Sequence, residues 1–156
     1  MNATRKEIPI TIIEKIKNLI EEKQNCQLNT DKCLYTYWLR GDNNEFRISQ
    51  LGNFKVIISR VEFEHKRKGT MSAILQIIKE YCKREGIATI CIQSVETEEM
   101  VNFCNKNGLI PDEYATIDID GMIFGDYLLR VERNYTLDGD FVATGENDLE
   151  DMEKEK

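Results

Sequence analysis

A strand, a short basic loop and an amphipathic helix follow one another in the middle of the chain, over Val56–Phe63, Glu64–Gly69 and Thr70–Glu85. A helix that begins at a glycine turn leaves several backbone N–H groups unpaired, and the helix dipole adds partial positive charge there. Such a place suits a phosphate or pyrophosphate, and the three consecutive cations Lys66–Lys68 strengthen it. The same residues also fit an ordinary solvated connection, because short glycine loops are common.

The elements around this loop predict where it lies. Ile87–Val95 is almost wholly apolar, which is typical of a central strand in a parallel pair. Thr70–Glu85 carries one apolar stripe and ends at Gly86, so it reads as the crossover helix that joins Phe54–Phe63 to Ile87–Val95. Ligands of open α/β sheets bind beside strand ends of this kind.

The N-terminal part predicts one helix and three antiparallel strands. A capping box, Thr11-x-x-Glu14, begins the helix, whose apolar face runs through Ile12–Ile20. A polar connector, Gln24–Lys32, follows. The strand candidates are Cys33–Leu39, Phe46–Leu51 and Phe54–Phe63, and the short connections between them indicate hairpins.

A short helix and a closing hairpin are predicted after the apolar strand. The helix runs from about Thr97 to Asn107, and the hairpin joins Ala115–Asp120 to Met122–Val131. The expected fold is therefore one mixed α/β domain over about Ile8–Val131. It has antiparallel N-terminal strands, a central parallel pair and flanking helices.

The composition predicts a cytoplasmic globular protein with free thiols. The five cysteines have irregular spacings: Cys26, Cys33, Cys82, Cys91 and Cys104. There is no Cys-x-x-Cys, and His65 is the single histidine, so no metal site is expected. No apolar run approaches the length of a membrane span, and the N-terminus lacks a signal-peptide pattern, so no membrane partner is expected.

The net charge of −7 is concentrated at the C-terminus, where residues 136–156 hold eight acids and two lysines, a balance of −6. We expect a domain over residues 1–135 and a disordered acidic tail over 136–156. The tail makes nucleic acid an improbable partner. An acidic surface mildly favours cationic amines as ligands. The sequence leaves a homodimer open.

Several motifs resemble the GNAT family of N-acetyltransferases. Val61–Leu75 is similar to motif A, in which a strand ends in an Arg/Gln-x-x-Gly-x-Gly/Ala loop around the pyrophosphate of acetyl-coenzyme A. Phe103–Leu109 resembles the Phe-Tyr-x-Lys-x-Gly-Phe pattern of motif B, and Gly125–Val131 looks like the family's last strand. The resemblance covers about Leu34 to Val131. It implies a GNAT-like fold and acetyl transfer from acetyl-CoA to an amine.

The resemblance also implies roles for individual residues. The pantetheine arm of acetyl-CoA would pair with the backbone of Ser59, Arg60 and Val61, between the two central strands. Backbone amides of the loop and helix start would hold the pyrophosphate, namely those of Lys66, Arg67, Lys68, Gly69, Thr70, Met71 and Ser72. A carboxylate or an ordered water would deprotonate the amine, and Glu62 is the carboxylate nearest the expected site, with Glu64 next.

Two residues depart from the family pattern, Cys104 and Met71, and a third, Tyr127, has two interpretations. Cys104 stands where motif B has its tyrosine, the usual acid for the leaving thiolate, and it also fits a buried packing thiol. Tyr127 is a substitute acid or a core tyrosine. Met71 puts a bulky side chain where the family has a small residue. A second function therefore stays open: a catalytically degenerate binding or regulatory protein of the same fold, with or without CoA.

Overall fold

The computed structural model describes residues 7–131 of the 156-residue chain. The expected acidic tail over 136–156 and the domain boundary at residue 135 lie outside the described residues. The described elements, in chain order, are α1 (Ile10–Gln24), β1 (Asn29–Cys33), β2 (Thr36–Gly41), β3 (Asn44–Leu51), β4 (Lys55–Glu62), α2 (Thr70–Glu85), β5 (Thr89–Val95), α3 (Glu98–Lys106), β6 (Ile110–Ile119) and β7 (Met122–Arg130).

All seven strands form one sheet in the order β1-β2-β3-β4-β5-β7-β6. β4 and β5 are parallel, and every other neighbouring pair is antiparallel. The connection from β4 to β5 contains α2, as a parallel pair requires. The predicted mixed α/β fold, with antiparallel N-terminal strands and a central parallel pair, is confirmed.

One face of β2–β4 is buried and the other is half-exposed. Phe46 and Ile48 of β3 are buried, as are Val56 and Ile58 of β4, and the residues between them are not. This alternation follows from the two-residue period of a strand. α1 and α2 pack against each other, and the predicted apolar stripe of α1 lies in the core. Each fully buried isoleucine stabilises the fold by about 1.5–3 kcal/mol.

Two local predictions for the N-terminal part are wrong. The expected connector Gln24–Lys32 contains β1, whose five residues are all exposed and so show no alternation of polarity. The capping box at Thr11 does not form, because α1 already begins at Ile10 with Pro9 as its N-cap and has no side-chain cap. The carbonyl of Pro9 accepts the N–H groups of Ile12 and Ile13 instead.

The β6–β7 hairpin forms one edge of the sheet, and most of β6 is exposed. Its turn is Asp120-Gly121, as predicted, and both residues have positive φ. β6 is longer than expected, because it begins at Ile110. No helix within residues 7–131 is both long enough and apolar enough to cross a bilayer.

Gly125 of β7 is, like Gly41 of β2, a glycine whose side-chain space is closed. It has φ +127°, and a Cβ there would overlap the carbonyl oxygen of Ala115 and crowd Thr116.

We expect Gly125→Ala to lower the free energy of unfolding by more than about 3 kcal/mol. Gly121→Ala is the control, since its φ is +87° but its Cβ would point into open space. It should cost about 1–2 kcal/mol. Equal losses in urea denaturation would contradict this prediction.

Candidate functional site

The site begins where β4 and β5 part. Their pairing runs from Lys55↔Thr89 to Ile58↔Ile92 and stops there, although β4 continues to Glu62 and β5 to Val95. Beyond Ile58 and Ile92 the two strands form an opening, the part in which they no longer pair with each other. Unpaired backbone N–H and C=O groups at such an opening can pair with an extended ligand that carries amides.

Two irregularities turn the strands apart at this level. On β4, Ser59 is an extra residue between the pairs Arg47↔Arg60 and Ile48↔Ile58. On β5, the register with β7 shifts between Ile92 and Val95. In that shift Ser94 has φ +54° and donates its N–H to the Asp126 carboxylate at 2.9 Å. Bulges bend and twist a strand locally, so the opening is built into the sheet.

The N-terminus of α2 lies at the end of this opening, after the basic loop. Gly69 is its N-cap with φ +72°, and no side chain caps the first amides. Lys66–Gly69 are exposed, and the first turn of α2 holds no acidic residue. Arg67 also has φ +60°, which turns the loop back on itself. Uncapped N–H groups, a helix dipole and three exposed cations therefore lie close together.

The N-terminus of α3, which follows β5, is built in the opposite way. The Thr97 hydroxyl accepts the Met100 N–H at 3.1 Å, and Glu98 and Glu99 occupy the first turn. A capped and acidic helix start repels an anion. Of the two helix starts that follow the parallel strands, only that of α2 suits a phosphate.

A buried glutamine holds the basic loop in place. Gln24 is 1% exposed in the last turn of α1. Its amide nitrogen donates to the His65 carbonyl at 2.9 Å and the Thr70 hydroxyl at 3.0 Å, and its amide oxygen accepts the His65 N–H at 2.7 Å. Asn44 adds a second support by accepting the Glu64 N–H at 2.8 Å. These contacts join residues at least 20 positions apart, so no local sequence pattern indicates them.

The structure separates the residues expected to hold acetyl-CoA into two groups. Ser59, Arg60 and Val61 lie on β4 along the opening, and the loop and the first turn of α2 lie at its end. Thr70 and Met71 are buried, and Ser72 is exposed. The Met71 side chain is 8% exposed and belongs to the core, so it does not crowd the space above the loop.

Glu62 is the exposed last residue of β4, with 60% of its side chain accessible. Arg60 Nη2 lies 3.2 Å from its carboxylate, and Arg60 Nε lies 3.0 Å from Glu45. Hydrogen bonding to Glu45 raises the pKa of Arg60, and the neighbouring Glu62 and Glu96 carboxylates act in the same direction. Glu62 is therefore a solvated carboxylate beside the opening, and Glu96 approaches from the end of β5.

Cys104 and Tyr127, the two expected acids, lie in the core. Cys104 is fully buried, and desolvation raises the pKa of its thiol to about 12. Tyr127 is 1% exposed, and its hydroxyl donates to the Ile123 carbonyl at 2.7 Å. Desolvation raises the pKa of Tyr127 as well. Both groups stay neutral and inside the core, which favours the packing interpretation for each.

A cleft of about 470 Å³ lies between the end of β5 and the β6–β7 hairpin. Ser94 and Glu96 line one side, and Tyr114, Thr116 and Phe124 line the other. Its walls combine an aromatic pair with one carboxylate. Within residues 7–131, no group of three or more His, Cys, Asp or Glu side chains could hold a metal ion.

No protein-family model and no curated protein matches the sequence. Among solved structures, the chain is similar to Ard1 from Thermoplasma volcanium, with 11% identity, 84% of this chain and 98% of that chain covered, and a TM-score of 0.48. It is also similar to the PaiA N-acetyltransferase of Thermoplasma acidophilum in complex with coenzyme A, with 18% identity, 75% and 70% covered, and a TM-score of 0.42.

A third similar structure is a Bacillus subtilis acetyltransferase in complex with CoA, with 15% identity, 83% of this chain and 97% of that chain covered, and a TM-score of 0.42.

Gln24→Leu tests whether the buried amide holds the basic loop. The change leaves the N–H and C=O of His65 without their partner, and each unpaired buried group costs about 1–3 kcal/mol. We expect a loss of about 2–4 kcal/mol in urea unfolding and faster hydrogen exchange at His65. Gln76→Leu is the control, because that amide makes an exposed hydrogen bond to Glu80 on the same helix, and it should cost less than about 0.5 kcal/mol. An unchanged exchange rate at His65 would contradict the assignment.

Proposed function

We propose that this protein is an acetyl-CoA-dependent N-acetyltransferase. The observation that carries the proposal is the opening between β4 and β5, which ends at the uncapped, basic N-terminus of α2. An extended ligand that carries amides along its length and a pyrophosphate at one end matches both parts. The segment that resembles motif A of the GNAT family, Val61–Leu75, lies on these same elements.

In this proposal the chain's residues act mainly by positioning. The backbone of Ser59–Val61 pairs with the pantetheine arm, and the amides of Lys66–Ser72 hold the pyrophosphate. A backbone N–H at the opening polarises the thioester carbonyl. Glu62, directly or through a water, takes the proton of the incoming amine. The amine nitrogen bonds to the thioester carbon, the C–S bond breaks, and the thiolate takes a proton from solvent.

One observation favours the second candidate, a CoA-binding protein without transferase activity. The two side chains expected to serve as acids, Cys104 and Tyr127, are buried in the core. Without an accessible side-chain acid for the leaving thiolate, such a protein would have a binding or regulatory role. The two candidates share the cofactor and differ in whether any amine is acetylated. A cytoplasmic location, expected from the five cysteines, belongs to both.

Gly69→Glu tests the pyrophosphate site. The change puts a carboxylate beside the α2 amides, where it competes with the phosphates. We expect acetyl-CoA to raise the melting temperature of the wild type and to bind Gly69→Glu at least about 100-fold more weakly in calorimetry. Gly86→Glu is the control, because Gly86 has φ +74° and equally open space at the other end of α2. Equal binding by both variants would show that the site is misplaced.

Glu62→Gln tests the step at the amine. The protein is mixed with acetyl-CoA and a panel of primary amines, and free thiol is measured. If Glu62 is the base, kcat/KM should fall about 10²–10⁴-fold while acetyl-CoA affinity stays unchanged. Glu113→Gln, on exposed β6, is the control. Normal acetyl-CoA binding with no acetylated amine, even in the wild type, would support the second candidate instead.

A further inference from the structure

The half-exposed face of β2–β4 carries a tryptophan between two arginines. Trp38 and Arg47 are directly opposite each other across β2 and β3. The guanidinium carbon of Arg40 lies 3.9 Å from the Trp38 ring centroid, and that of Arg47 lies 4.9 Å from it. The indole N–H donates to Glu45 at 2.7 Å, which fixes the ring. Desolvation favours the neutral acid, but hydrogen bonds from Arg60 and Trp38 lower the pKa of Glu45, so it stays charged.

Arg47 differs from its neighbours in having no anionic partner. Arg40 pairs with Asp31 at 3.2 Å, and Arg60 pairs with Glu45 and Glu62. Arg47 donates its Nε to the Ser59 hydroxyl at 2.9 Å. Among the residues that the structure describes, neither of its Nη groups has a hydrogen-bond acceptor or an ion-pair partner. A half-buried guanidinium without an anion has lost hydration and gained no compensating charge.

The geometry of Arg47 selects the shape of the missing anion. Its Nε is held by Ser59, and the indole of Trp38 approaches the guanidinium. The edge formed by the two Nη groups stays available for a ligand. Such an edge binds a planar carboxylate through two parallel hydrogen bonds. Stacking on an aromatic ring keeps an arginine fork in place without removing its charge.

The location of Arg47 connects it to the proposed reaction. Ser59 is the extra residue of the β4 bulge, next to the last β4–β5 pair at Ile58 and Ile92. The anion site therefore lies where the opening starts. The uncapped N-terminus of α2 lies at its other end, after the loop. An anion at Arg47 is thus a group distinct from the pyrophosphate.

We propose that Arg47 binds the carboxylate of the acceptor, so that the acceptor is a small amine that carries a carboxylate, of the amino-acid type. This inference rests on the proposed transferase function. Glu62 ends β4, Glu96 directly follows β5, and both carboxylates act on Arg60, so the ammonium group meets carboxylates while the carboxylate meets Arg47. The two charges of a zwitterion are matched by two regions of opposite charge.

The test compares acids with their carboxamides. Leucine and leucinamide, and β-alanine and its amide, are acetylated by the wild type and by Arg47→Met, which keeps an unbranched apolar side chain. The wild type should prefer each acid by at least about 10-fold in kcat/KM. Arg47→Met should lose about 10–100-fold on the acids, as expected for hydrogen bonds between charged groups, and leave the amides unchanged. Arg40→Met is the control, since Arg40 also contacts Trp38 but is paired with Asp31.

Binding is measured separately by ligand-observed NMR with each acid and amide, and acetyl-CoA binding by calorimetry. Equal losses on acid and amide, a wild-type preference for the amides, or no effect of Arg47→Met would overturn the inference, provided that the variant melts within a few degrees of the wild type. Acid binding that depends on Arg47, in a protein that does not bind acetyl-CoA, would overturn the proposed function and keep the carboxylate site. Acetyl-CoA binding without any acid preference would overturn this inference alone.

Discussion

The pairing of β4 with β5 stops after Ile58 and Ile92, and most of the site depends on that end point. Continued pairing would satisfy the backbone groups of Ser59–Glu62 and leave no room for a ligand. The sheet prevents it from both sides, because β4 is bulged against β3 and β5 is displaced against β7. β3 holds the bulged strand β4 by pairing with it, and β7 holds the displaced strand β5 in the same way. The opening is therefore a property of four strands and not of the two that border it.

Positive and negative charges are separated between the elements around the opening. The start of α2 is cationic and uncapped, whereas the start of α3 is capped and acidic. On the half-exposed face, every arginine except Arg47 is matched by a carboxylate. Matched pairs on an exposed face contribute little stability. Their effect is to neutralise the surroundings of Arg47, which has no carboxylate partner among the described residues.

The long apolar elements could be predicted from the sequence, because burial imposes a pattern on them. Ile87–Val95 and the stripe of Thr70–Glu85 indicated the parallel pair and its crossover helix, and the structure confirms both. β1 could not be predicted in this way, because its five exposed residues carry no pattern. The basic loop Lys66–Gly69 could also be predicted from the sequence, because positive charge and glycine are local signals.

The supporting residues of the site could not be predicted, because their partners are distant in sequence. Gln24 meets a loop 41 residues away, and Arg47 meets Ser59 only because of a bulge that no residue type announces. Cys104 and Tyr127, in contrast, could be named from residue type alone. Their side chains can carry a proton, but the packing around them decides whether that proton is accessible, and here it is not.

Because Gln24 contacts the basic loop, the number of residues in α1 affects the position of that loop. Gln24 is the last residue of the helix, and Asn25 ends it in a left-handed conformation. One inserted or deleted residue upstream would turn Gln24 by about 100° and shift it by about 1.5 Å along the axis. With the apolar face upstream of the change still packed in the core, the amide would point away from His65. Insertions and deletions in α1 are thus excluded by the loop that it supports, even though they lie far from it in the chain.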